Sequence, residues 1–345
     1  MHIEKSNLMV GGCLMSYTKR CMVTHNYSVD LLRGLGAFGI VGCHLMLYPK
    51  TAGAAAITNL CDMFVGLFAA LSGYWMGIKD LQVDDGSCGI GQCIVKRAKR
   101  IIPTYLAWTA IYILFGLCFD LLVRKGLSAK RLSPEFAVDA LFFGGASCHL
   151  WFLACLFYSQ VILFALFSVR RIVAWWLYIV VGFVLVAVAA YSPVECWWTF
   201  YPLRLFAFLV TGCGVAKLLQ RRHRGMRGAW VVVLAVSVVS HFFAKRCLPQ
   251  FIRDWFVVVP LLYVAVNTRL PEKFNSIAGI FGKTSMGVFL VHPIFAAGLG
   301  IVFKKLFLSP YGIVPWGLDW MVCWGCSFIV ALTMVRMPVI KKIAS

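Results

Sequence analysis

The stretch "DLLRGLGAFGIVGCHLML", from Asp30 to Leu47, carries Arg33 and His44 among apolar residues. An imidazole can take or give a proton near neutral pH, and a guanidinium can hold an anion or a developing oxyanion. Eleven residues at 100° each turn a helix through three full turns plus about 20°, so both side chains share one face, about 16 Å apart along the axis. An ionisable residue within an apolar span faces a cavity or a polar partner, because exposure to lipid is costly. Plainer readings stand beside this one. Arg33 can snorkel to nearby headgroups or pair with Asp30, and His44 can hydrogen-bond a neighbouring helix. Gly34, Gly36 and Gly39 also match G-x-G-x-x-G. That fingerprint needs a strand before it and a helix after it. Inside one apolar helix, these glycines and Gly42 read as positions of close helix packing.

The elements that must position these residues follow from composition. The chain has 345 residues, of which 61% are hydrophobic and 13% charged, and its mean hydropathy is +0.84. That mix leaves too little polar surface for a soluble fold. Runs of about 20 apolar residues recur, each long enough to cross a hydrocarbon core, and they lack the alternation of barrel strands. The expected fold is all-α, a polytopic integral membrane helical bundle with about ten transmembrane helices. The spans fall near 29–48, 57–78, 101–123, 149–168, 172–190, 200–219, 229–244, 251–267, 284–307 and 315–336, the seventh and eighth having the weakest signal. The domain reading is a cytoplasmic segment 1–28, a membrane domain 29–336 and a short cytoplasmic tail 337–345. The connections 79–100 and 124–148 are too short for a soluble domain.

The formal net charge is +20. The cations fall between apolar runs rather than in one stripe, which argues for membrane topology and anionic lipid rather than nucleic acid. With the N-terminus inside, 21 lysines and arginines lie on the inner side against 9 outside, so both termini are expected in the cytoplasm. The first 29 residues show no cleavable signal peptide, and Met15 and Met22 are alternative starts. The 14 cysteines lie mostly in apolar runs, where cysteine behaves as a small hydrophobe. Cys323 and Cys326 form a C-x-x-C without a βαβ context or a second ligand pair, so neither redox chemistry nor a metal is expected.

The spacing Arg33-x10-His44 resembles the first-helix motif of the acyltransferase family 3 membrane proteins. Four further stretches are similar to family segments: "FAALSGYW" (Phe68 to Trp75, with Ala69 in place of an aromatic), "KRAKRIIPTY" (Lys96 to Tyr105), "HLWFL" (His149 to Leu153) and "FGKTSMGVFLVHP" (Phe281 to Pro293). The resemblance covers about Asp30 to Arg336. It implies a membrane O-acyltransferase that moves an acyl group, usually acetyl, from cytoplasmic acyl-CoA as co-substrate to a hydroxyl of an extracytoplasmic glycan or lipid-linked saccharide. It also implies a bacterial plasma membrane. Some members carry a soluble esterase-like domain. This chain has none in the stretch given, so it completes transfer itself or hands the acyl group to a separate extracytoplasmic protein.

Under that resemblance His44 is the general base, or a transient acyl carrier. Arg33 binds the donor or stabilises charge on the thioester oxygen. Arg97 and Arg100, i,i+3 neighbours if helical, clamp donor phosphate, or only mark a basic inner loop. Ser72 donates a hydrogen bond near the donor, or packs. His149, at the outer rim, and Trp151, Trp197 and Trp198 meet the acceptor sugar, or the tryptophans form the interfacial belt. Arg204 pairs with Glu195 or meets an anionic acceptor. His292 is a pathway residue, or bonds the backbone opened by Pro293. Two readings without acyl transfer compete: a transporter or flippase of a lipid-linked sugar, and a membrane sensor domain.

Overall fold

The computed structural model describes residues 25–45, 52–79, 90–122, 125–126, 128, 131, 133–147, 149–167, 175–191, 197–220, 227–244, 247–306 and 313–337. Most of the N-terminal segment 1–28, the tail beyond Met337 and Glu195 lie outside these, as do the side chains of Trp197 and Trp198. Among the described residues the fold is all-helical, with eleven α-helices. They are α1 (Tyr27–Cys43), α2 (Ala52–Lys79), α3 (Ile90–Leu122), α4 (Pro134–Phe142), α5 (Trp151–Phe167), α6 (Trp175–Tyr191), α7 (Trp197–Gln220), α8 (Arg227–Phe243), α9 (Gln250–Asn267), α10 (Asn275–Leu306) and α11 (Ile313–Arg336).

Six of them, α2, α3, α7, α9, α10 and α11, contain stretches long and apolar enough to cross a membrane, and α5, α6 and α8 are shorter apolar helices. The chain is a multi-pass membrane protein. Each of the ten expected spans coincides with a helix, including the two with the weakest signal, which are α8 and α9. Both long connections carry helix. α3 begins at Ile90, ahead of the expected span 101–123, so the basic cluster Lys96–Arg100 rides on its first turns. The connection 124–148 holds α4, started by Ser133, whose hydroxyl accepts from the Phe136 N–H at 3.2 Å, and by Pro134 at the first helical position.

Helix α1 is enclosed by four others. It packs against α2 and α10 and also touches α9 and α11. That is how a helix carrying Asp30 and Arg33 is kept off lipid. Its start is pinned: Asn26 caps the helix by accepting from the Ser28 and Val29 N–H groups, and donates from Nδ2 to the Val266 carbonyl at 2.8 Å. Ser28 Oγ donates to the Thr268 carbonyl at 2.7 Å. Farther along, Trp320 Nε1 donates to the Phe38 carbonyl at 2.8 Å, tying α1 to α11. The glycines of α1 act as expected. A Cβ on Gly34 would collide with Phe281 of α10, and one on Gly39 would enter the Phe64 ring of α2. The α2–α7 contact is built the same way, with Gly73 against the Leu209 carbonyl and Gly212 against the Ala70 carbonyl.

Candidate functional site

Three histidines from distant parts of the chain converge at one level. The ring centroids of His44 and His292 are 5.2 Å apart, and those of His149 and His292 are 5.4 Å apart. Different devices deliver each ring. α1 ends at Cys43, earlier than the span 29–48, and His44 is its C-cap, with φ −104°, ψ 5° and its N–H on the Val41 carbonyl. The imidazole therefore leaves the helix end rather than its side. His149 comes from the tight turn between α4 and α5. Gly144 makes that turn possible at φ +85°, a conformation other residues adopt at a cost. Ser147 Oγ and His149 Nδ1 share a hydrogen bond of 3.0 Å. His292 lies on α10 beside Pro293, which has no N–H to continue the helix ladder. Its Nδ1–H donates to the Val288 carbonyl at 3.2 Å, which leaves the lone pair on Nε2. The two readings of His292 are thus compatible: it braces the helix and faces the cluster. Tyr112 of α3 lies edge-on to His149, with centroids 5.0 Å apart, and its hydroxyl donates to the Leu290 carbonyl at 2.6 Å.

At the N-terminal end of α1 a cavity of about 350 Å³ opens among α1, α2, α3 and α5. Arg33, Arg97 and Arg100 line it, with Ser72, Thr104 and Gln160 as polar neighbours. Arg97 and Arg100 are helical, so they stand one turn apart on α3, and Arg100 is close enough to Arg33 to act on it electrostatically. Asp30, on the same face, lies 3.8 Å from the Arg33 guanidinium and accepts from His25 Nε2 at 2.6 Å. A Cβ on Gly282 of α10 would collide with the Asp30 carboxyl, so that glycine makes the room in which Asp30 sits. Net positive charge at the mouth and an apolar interior suit a ligand with a phosphorylated head and a thin arm.

Aromatic rings stand between the cavity and the histidines. Phe68 and Phe152 line the cavity, and both approach Phe289, at centroid distances of 6.5 and 5.4 Å. Phe289 in turn stands 5.3 Å from His149 and 6.1 Å from His292. Trp151 is buried, edge-on to Phe152 at 6.3 Å.

Arg204 is placed differently from the other candidates. Its Nη2 donates to Asp254 Oδ2 at 3.0 Å and Asp62 Oδ2 at 3.1 Å, and its guanidinium lies 4.2 Å over the Phe251 ring. Asp62 also accepts from Gln250 Nε2 at 3.2 Å. The arginine is 2% exposed and Asp254 is fully buried. Two carboxylates already surround this cation.

Thus the structure joins Arg33, Arg97, Arg100 and Ser72 in one cavity, joins His44, His149 and His292 in one cluster, and sets Arg204 in a third group. Gln160, Asp62 and Asp254 are not among the residues that motif spacing singles out. A signal exists for each, as a polar residue or polar pair within an apolar run: "FYSQVIL", "LCDMFV" and "IRDWFV". Among the described residues no group of three or more His, Cys, Asp or Glu side chains is placed to hold a metal ion.

The family model for the acyltransferase 3 domain matches residues 26–336. The chain belongs to that family, and membership makes it an acyl-transfer enzyme of the membrane. A search of curated proteins and one of solved structures each gave no match.

Proposed function

We propose that the protein is a membrane O-acyltransferase with both termini in the cytoplasm, embedded in a bacterial plasma membrane through ten helices, that takes an acyl group, acetyl first, from cytoplasmic acyl-CoA. The acceptor is a hydroxyl of an extracytoplasmic glycan or lipid-linked saccharide. A single observation carries this reading: one helix, α1, presents Arg33 to a basic cavity near its N-terminus and hands His44 to a histidine cluster at its other end. The two ends are about 16 Å apart along the axis, a span that an extended phosphopantetheine arm can bridge.

In this scheme Arg97 and Arg100 hold donor phosphate at the mouth. Arg33 and Ser72 line the path of the arm. Neutral His44 takes the proton from the acceptor hydroxyl as its oxygen bonds to the thioester carbonyl carbon. The carbon–sulfur bond breaks, and the imidazolium returns the proton to the departing coenzyme A thiolate. His149 and His292 line the chamber where the hydroxyl arrives. Where a separate extracytoplasmic protein completes transfer, a hydroxyl of that protein takes the saccharide's place as the attacking group in this same step.

The test is transfer of label from radiolabelled acetyl-CoA into the glycan fraction of membranes, wild type beside His44→Ala at matched protein level, with free coenzyme A measured in parallel. Label that disappears in the variant, with coenzyme A release lost alongside, supports the reading. Equal labelling in both removes His44 from the chemistry. A wild type that releases no coenzyme A overturns acyl transfer and favours a transporter or sensor.

A further inference from the structure

Helix α5 is apolar along almost its whole length, "WFLACLFYSQVILFALF". Gln160 interrupts it and is only 2% exposed. Among the described residues its Oε1 accepts no hydrogen bond. A buried carbonyl oxygen without a donor is disfavoured and is usually retained for a reason. Gln160 also lines the basic cavity, together with Leu156, Leu153 and Phe152 of the same helix. Steps of four, three and one residues place these side chains on one face of α5, and the stripe runs about 12 Å from Gln160 toward the turn that holds His149.

Along α5 the lining runs from the carboxamide of Gln160 to the aliphatic and aromatic carbon of Leu156, Leu153 and Phe152, and α1 and α3 add Asp30 and the three arginines to the same cavity. The donor arm carries groups to match: phosphates, then amides, then the apolar cysteamine and the thioester. An acyl phosphate would satisfy the arginines but has nothing to offer a buried amide acceptor. A secondary amide N–H is the donor that fits.

We propose that Gln160 recognises an amide of the pantetheine arm, its Oε1 accepting from the amide N–H, and so makes the cavity selective for coenzyme A thioesters over other phosphorylated acyl donors. This rests on the reading of the cavity as the donor site.

The experiment measures binding of coenzyme A and of adenosine 3′,5′-bisphosphate, which keeps nucleotide and phosphates but lacks the arm, to the purified full-length protein in lipid nanodiscs. Gln160→Met and Gln160→Leu weaken coenzyme A binding about tenfold, the ordinary worth of one buried hydrogen bond, and leave the bisphosphate affinity unchanged. Retained bisphosphate binding shows that the variants are folded. Unchanged coenzyme A affinity in both variants overturns the role of Gln160 while leaving the cavity as the donor site. Parallel loss of both ligands makes Gln160 a packing residue and overturns the proposal too. A wild type that binds neither ligand sinks the donor site itself and this inference with it.

Discussion

Arg204 on α7 and Asp254 on α9 form an ion pair of 3.0 Å in which the guanidinium is 2% exposed and the carboxylate fully buried. Asp62 on α2 closes the same group from the other side at 3.1 Å. Three helices are thus tied by one cation. His241 Nδ1 of α8 approaches Asp254 at 3.8 Å, and Arg253 Nη1 donates to the His241 carbonyl at 2.6 Å, which extends the network to a fourth helix. This arrangement engages Arg204 with carboxylates from two neighbouring helices.

Removal of the arginine alone leaves Asp254 buried without its countercharge. Arg204→Met is expected to cost about 3–5 kcal/mol, the usual penalty for breaking a buried pair from one side. Thermal unfolding of the detergent-solubilised protein reads this as a large drop in midpoint. The double variant Arg204→Met/Asp254→Leu recovers part of the loss, because no uncompensated charge remains. A stable single variant with a raised acceptor KM would instead return Arg204 to the acceptor site.

His44→Ala is expected to lower acyl transfer by about 10²–10⁴-fold, the range for loss of a general base, with coenzyme A binding unchanged. His292→Phe keeps an aromatic ring against Phe289 and His149 but loses the bond to the Val288 carbonyl. Its expected effect is a lower kcat at unchanged donor KM. A variant of either residue that loses donor affinity in proportion to rate would place the ring in donor binding.

Arg97→Gln and Arg100→Gln each remove one cation from the cavity mouth. Loss of one charge-assisted contact corresponds to about 1.5–3 kcal/mol, so coenzyme A affinity is expected to fall by at least tenfold in each. The salt dependence of donor binding flattens in step, since fewer opposite charges remain to be screened. Titration at two ionic strengths distinguishes this from a packing defect, which would leave the salt dependence intact.

Gly282→Ala places a methyl group where the Asp30 carboxyl lies. Overpacking of this kind costs about 1–3 kcal/mol, and the displaced carboxylate no longer steadies Arg33. The expected kinetic signature is a raised donor KM with a smaller change in kcat. Asp30→Asn, which keeps the shape and removes the charge, reproduces the KM effect without the loss of stability. Identical kinetics for wild type and both variants would separate Asp30 from the donor site.

Much of this protein is legible in the residues alone. Hydrophobic runs determine the helices, six of which are long and apolar enough to cross a membrane among the described residues, because a backbone in lipid must satisfy its own hydrogen bonds and does so as helix. The step of eleven residues puts Arg33 and His44 on one side of an ideal helix, whereas the folded chain ends α1 at Cys43 and turns His44 out at the C-cap; the small residues of that helix announce close neighbours. Periodicity says nothing of which helix meets which. Only the packed bundle brings His149 and His292 to within about 5.5 Å of one another and His44 to the same chamber, because contacts between distant segments depend on side-chain shape rather than local pattern. Polar residues within apolar runs show the same division. Gln160, Asp62 and Asp254 are visible as interruptions in apolar runs. Tertiary structure decides that two of them neutralise Arg204 while the third lines a cavity with its oxygen unclaimed among the described residues. A buried polar group takes its role from its partner, and helix packing supplies that partner.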